Sequence, residues 1–408
     1  MDDADSAEPE ASGSGSFDFT SLAAFDGESA IAAVATQLRD AGRVDDLFDL
    51  RMLAAKLKRG LNTDRPASLS DVPGEQRREL ELDYRAAARE AGQALLARGD
   101  LLAAWSYFQA INERGPIREA LETVPVVEEY DERQQELAQL ALYEGVHPRK
   151  GAELLLAMAG MCNTVTAVDQ VLPSLAADDR AAVAELLVDA LHEQLHGSVR
   201  RDVQERHPMH RSEGSLPELL EQHPQLLADG AYHTDVSHLG AVVRFARSLE
   251  AASPSLDRAI ELCDYGARLD QNLQYGGEPP FEDSYVAHRH LFEAVRGSSN
   301  EQRQLGLEYF RKKLADEPDA ADKPLLAYVL TDLLMRCDRP DEAVAVAREH
   351  LADLGDQTGF SFAELCRLAN RADVLADWAA ERNDPVNYLI ARFAATSDES
   401  SSGGPSAR

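Results

Sequence analysis

The sequence has little of what a sheet, a redox centre or a nucleotide site requires. Alternating apolar and β-branched residues are almost absent, which argues against strands. None of the four cysteines, Cys162, Cys263, Cys337 and Cys366, belongs to a C-x-x-C pair. Scattered through helical patterns in a chain of 408 residues, they read as reduced, buried thiols of a cytoplasmic protein. There is no G-x-x-x-x-G-K-[ST], no G-x-G-x-x-G after a strand and no G-x-S-x-G. Phosphate cradles and the serine-hydrolase elbow are therefore not indicated. The first residues lack the basic segment and apolar core of a signal peptide. No uninterrupted apolar run approaches the roughly 20 residues of a membrane span.

Positive charge is also scarce. Forty-one Lys and Arg stand against 72 Asp and Glu, a net charge of −31, and only six of the cations are lysines. Such a surface repels phosphate backbones and anionic lipid, so neither nucleic acid nor membrane is an expected partner. It favours solubility and basic partners.

What the chain does have is helical spacing punctuated by Gly, Pro, Asp and Asn. Residues 1–16 and 397–408 are small, polar and acidic and read as disordered tails. Between them, residues 17–205 form a first helical region, 206–230 an irregular connection with one short helix, and 231–396 a second helical region. The clearest segment is 92–108, GQALLARGDLLAAWSYF. Leucines precede Gly99, Asp100 follows it, Ala104 stands five residues on and Phe108 nine. This is the pattern of a tight turn between antiparallel helices that cross at a small residue. Leu47 stands five after Gly42. Asp338 takes the Gly position before Ala343, and Asn383 takes it before Tyr388. Asp and Asn are the substitutes that tolerate a left-handed backbone.

These matches resemble the tetratricopeptide repeat, best at 92–108, less closely at 331–350 and faintly at 31–60 and 376–394. The spacing is irregular: Gly42 and Gly99 stand 57 apart, against the roughly 34 of a regular array. The resemblance implies an all-α, right-handed superhelical array (an α-solenoid) of antiparallel helix pairs. It further implies a scaffold or adaptor that holds a protein or peptide partner in a groove and needs no cofactor.

One motif points elsewhere. Residues 192–196 read His192-Glu193-Gln194-Leu195-His196, the H-E-x-x-H pattern. Two His four apart share a helical face and can hold Zn²⁺, and Glu193 would serve as general base on a bound water. A zinc-dependent hydrolase is thus the alternative to the scaffold. Against it stand polar Gln194, the missing third His of the extended motif, and the missing strands. Seven of the 11 His lie between 192 and 238: His192, His196, His207, His210, His223, His233 and His238. Such a cluster makes either a metal site or a polar groove lining. As groove residues His192, His196, His233, His238 and Arg244 stand out. Arg244 and Arg247 flank an apolar stripe and would meet either a partner's carboxylate or an internal acid. Phe281 ends a Gly/Pro-rich loop from Tyr275. It reads either as an exposed anchor or as a side chain tucked under the neighbouring helices. Trp105, Tyr107 and Phe108 read as packing residues between repeat helices.

Overall fold

Six tight reversals of this chain each rest on one residue with a left-handed backbone. Gly42, Gly99, Asn112, Asp338, Asn370 and Asn383 have φ of 69, 76, 57, 60, 54 and 54°. The N–H of the residue after each bonds to the carbonyl five positions earlier. These are Arg43 to Leu38, Asp100 to Leu95, Glu113 to Phe108, Arg339 to Leu334, Arg371 to Cys366 and Asp384 to Ala379, at 2.8–3.0 Å. This closure satisfies a helix-end carbonyl and sends the next helix back along the last. Asp338 and Asn383 thus do what the sequence assigns them.

The computed structural model describes residues 27–70, 72–206, 213–274, 276–354 and 360–402, with side chains as far as residue 394. Among these residues every regular element is a helix, as the all-α expectation requires. The chain divides into two compact units after Gly160.

The first unit contains α1 (Gly27–Asp40), α2 (Val44–Lys58), α3 (Gly74–Ala97), α4 (Leu101–Ala110), α5 (Gly115–Glu122) and α6 (Glu132–Leu142), and the start of α7 (Pro148–Val171). Each of α1 to α5 packs on the next. Phe48, Met52, Leu80, Phe108, Ile117 and Leu121 fill the interior. Phe108 lies over Gly92, where a Cβ would come within 2.6 Å of its ring. Ala104 is fully buried beside it. Tyr107 packs edge-on against Phe48 and bonds to Asp45.

Gly160, with φ 74° and ψ 177°, breaks α7. The stretch Pro148–Ser174 is long and apolar enough to cross a membrane by composition, although no unbroken apolar run was evident. The helical backbone is interrupted at Gly160 within that stretch, and 44% of the apolar window is buried within the protein.

The second unit is built on α8 (Ala177–Arg206), whose Val183, Leu187, Val188, Leu191, Leu195, Val199 and Val203 are buried. Against it pack α9 (Leu216–Gln222), α10 (Val236–Phe245) and α11 (Ser255–Ala267). Then follow α12 (Ser284–Arg296), α13 (Asn300–Asp316), α14 (Lys323–Arg336), α15 (Pro340–His350), α16 (Phe362–Leu368), α17 (Ala372–Glu381) and α18 (Pro385–Ser402), each packed on its predecessor.

Of the expected connection 206–230, the described residues after α8, 213–230, form one short helix, α9, with a Ser215–Glu218 capping box, and a 3₁₀ turn at Pro224–Gly230. It lies inside the second unit, because Leu216, Leu219, Leu220 and Leu226 are buried. The 1–16 tail lies outside the described residues. Helix α18 runs to Ser402, past the expected boundary at 396, because no Gly or Pro interrupts it before Gly403. Cys263, Cys337 and Cys366 are buried, but Cys162 is exposed, a correction to the expectation of four buried thiols. Cys162 follows the break at Gly160, on the open side of α7.

Glycines mark where helices touch most closely. A Cβ on Gly306 of α13 would lie 2.4 Å from the His290 carbonyl of α12, whereas one on Gly240 of α10 meets nothing within 4 Å. Alanine gains about 1 kcal/mol over glycine in an open helix, while overpacking costs about 1–3 kcal/mol. Gly306→Ala is therefore expected to lower, and Gly240→Ala to raise, the denaturant midpoint. A rise in both would show that α12 and α13 can separate without cost.

Candidate functional site

The histidines singled out by the sequence do not gather in one groove. His192 and His196 share a face of α8, with ring centroids 6.2 Å apart, as four-residue spacing requires. His192 Nε2 meets Glu261 Oε2 of α11 at 2.7 Å, and His196 Nε2 meets the Gly214 carbonyl at 2.8 Å. His233 Nε2 meets Asp202 Oδ2 at 2.9 Å, and its backbone N–H donates to the Tyr265 hydroxyl at 2.7 Å. Tyr265 is fully buried, and burial pushes its hydroxyl up to about 12. These histidines fasten α11 and the 214–233 segment to α8. His238 stands apart in the first turn of α10, where Asp235 accepts from the Ser237 and His238 N–H groups as the N-cap. His223 is buried. His207 and His210 lie outside the described residues.

Glu261 is a carboxylate on another helix facing His192, but His196 is turned to a carbonyl that can only accept. Both Nε2 atoms therefore carry a proton, and a metal there would have to break both bonds. Among the described residues no three His, Cys, Asp or Glu side chains are placed to hold a metal. Glu193 is exposed on the flank of α8.

Arg244 leads to a different place. It pairs with Asp169 at 2.6 Å, both about half exposed, and lines a cavity of about 590 Å³. Helix α10 gives one wall with Gly240 and Ala241, the 276–281 loop another, and α14 a third with Leu325 and Val329. On the floor is Arg247, in the 3₁₀ turn Ala246–Ser248 that ends α10. Its guanidinium lies over Phe281, 3.7 Å from the ring centroid, and its Nε donates to His288 Nε2 at 2.8 Å. His288 in turn gives its Nδ1 proton to the Ser284 carbonyl at 2.6 Å and stacks on Phe281 at 4.4 Å. Phe281 thus tucks under the helices and lines the cavity at once.

The electrostatics fix these protonation states. Burial, then the neighbouring charge of Arg247, lowers the His288 pKa to about 3. The ring is neutral and its Nε2 is a bare acceptor. Burial, then Arg244, lowers the Arg247 pKa to about 10, which leaves it cationic at neutral pH. Among the described residues no carboxylate reaches Arg247 within 4 Å.

The sequence shows Arg247, Phe281 and His288 separately and says nothing of their meeting, since the Arg247–His288 bond spans 41 residues. A second surface was also missed. On α18, Val386, Leu389, Ile390 and Phe393 follow helical spacing, and all four are exposed. The same pattern on a middle helix would be core. No family model matches the sequence, and comparison with curated proteins gives no match.

Two outcomes follow. The folded His288 pKa lies below the unfolded value of about 6.5, so acid protonates the unfolded chain first. Stability present at pH 7 is expected to fall below pH 6.5 by up to about 1.4 kcal/mol per pH unit. Burial pushes His290 the same way. Urea midpoints between pH 7 and 5 should fall less steeply in His288→Gln; identical slopes would place the titration elsewhere. Zinc at one equivalent is expected to leave the melting temperature unchanged. A rise that His192→Ala abolishes would establish the hydrolase-type centre instead.

Proposed function

We propose that the chain is a non-enzymatic helical-repeat protein, tetratricopeptide-like in kind, that holds a polypeptide partner. One observation carries this reading: the last described helix presents an apolar stripe to solvent. Val386 is 66%, Leu389 51% and Phe393 67% exposed. In a stacked array each helix shelters its neighbour's apolar face, and a helix face left to solvent is ordinarily polar. A stripe at i, i+3, i+4 and i+7 is the counterpart of an amphipathic helix laid along it.

The charge supports the same reading. Between 385 and 394 the only charged side chain is Arg392, so the stripe is a neutral strip in a chain of −31. A partner helix with basic flanks would be steered to it by the surrounding acid. Nucleic acid and anionic membrane would be repelled. The buried thiols fit a cytoplasmic setting, and no cofactor enters.

The test is photo-crosslinking from a reactive side chain at Tyr388 in cell extract, read by mass spectrometry. A discrete polypeptide should be captured and be lost in Leu389→Asp, whose unfolding midpoint stays unchanged because Leu389 is half exposed. Absence of any captured polypeptide, or equal capture by the folded Leu389→Asp protein, would refute the assignment.

A further inference from the structure

We propose that the cavity floored by Arg247 binds a small carboxylate carried on a short apolar body. The inference is independent of the α18 reading, since it concerns a different surface and a different ligand.

The argument begins with what holds the guanidinium. Phe281 supports one face and His288 takes the Nε proton. The plane of the group is therefore set before any ligand arrives. Its two terminal nitrogens have no acceptor among the described residues. A fixed guanidinium edge offers two parallel N–H donors, and a carboxylate offers two acceptors at matching spacing.

Charge selects the same ligand. Arg244 and Arg247 stand on the cavity wall and Glu278 is the single acid among its described lining residues. Arg244 is already committed to Asp169. Several other arginines of this unit meet an acid of the chain: Arg258 meets Asp189, Arg289 Asp264, Arg296 Asp257 and Arg311 Glu342, all within 3.0 Å. The chain has 72 carboxylates and brings none to Arg247.

The remaining wall is apolar. Ala241, Pro279, Leu325 and Val329 face the space, and Gly240 leaves it open, since a Cβ there meets nothing within 4 Å. About 590 Å³ suits a ligand of modest size with one polar end. A phosphate dianion, with three oxygens to satisfy, finds one free guanidinium edge here.

The probes are hexanoate, N-acetyl-leucine, its neutral amide N-acetyl-leucinamide, and inorganic phosphate, titrated into the full chain by NMR or calorimetry. Hexanoate stands for a free small acid and N-acetyl-leucine for the C-terminal residue of a polypeptide. The stronger of the two identifies the source, and binding of either supports the proposal. Arg247→Gln is expected to weaken it at least ~10-fold, about 1.4 kcal/mol. Gly240→Leu, which puts a bulky side chain on the cavity wall and leaves Arg247 in place, should abolish it while the melting temperature holds. The proposal is overturned if neither acid binds to the folded protein, if the amide or phosphate binds as well as the acids, or if both variants bind as wild type does. None of these results alters the α18 crosslinks, so the two readings fail separately.

Discussion

The fold depends on one backbone interaction repeated along the chain: an N–H just past a left-handed residue bonding to a carbonyl five positions back. Each bond contributes only about 1 kcal/mol net. Its larger effect is geometric, because it fixes where the next helix starts and which way that helix faces. Five residues after the left-handed position the side chain points inward. Leu47 is 1% exposed, Ala104, Ile117 and Ala343 0%, and Leu375 1%. Tyr388 has the same offset from Asn383 and is 39% exposed. The geometry there is unchanged. Among the described residues no later helix packs over it, and a position that is core elsewhere lies at the surface.

The same constraint explains what could be read beforehand. Gly42, Gly99, Asp338 and Asn383 were legible because long apolar patterns flank them. Asn112 and Asn370 do the same work and were not read. Asn112 precedes the eight-residue α5, and Asn370 follows the seven-residue α16; two turns are too few to show a period. The His192–His196 spacing correctly put both rings on one face of α8. It could not say what that face meets, because the partners are Glu261, 69 residues on, and a backbone carbonyl. A motif defined by side chains is blind to a carbonyl acceptor, and that carbonyl separates a latch from a metal ligand.

Charge plays a supporting part. Arg51 grips Glu90 with two bonds, and Arg296 grips Asp257 likewise. Such part-exposed pairs contribute up to about 1 kcal/mol each. They join neighbouring helices and so set register more than stability. Arginine also reaches backbone: Arg98 donates to the Gly42 carbonyl at 2.8 Å and Arg133 to that of Gly99 at 2.6 Å. In each case the cation comes from a later helix end and covers an earlier left-handed turn. A fork that serves carboxylates and carbonyls alike suits a chain with 35 arginines and six lysines.

Arg247 breaks this economy. Its acceptor is a neutral ring, and its contact with Phe281 contributes about 0.5–2 kcal/mol. Withdrawing a cation from water without a counter-charge costs several kcal/mol. Ring and hydrogen bond together offset part of that, and among the described residues no acid of the chain supplies the rest. Relief from within would require an acid, and Glu278, the one acid among the cavity's described lining residues, makes no ion pair with it. Protonating His288 would make the imbalance worse by adding a second cation. The remaining way to balance it is an anion from outside the chain, at the one edge of the guanidinium that the fold leaves open.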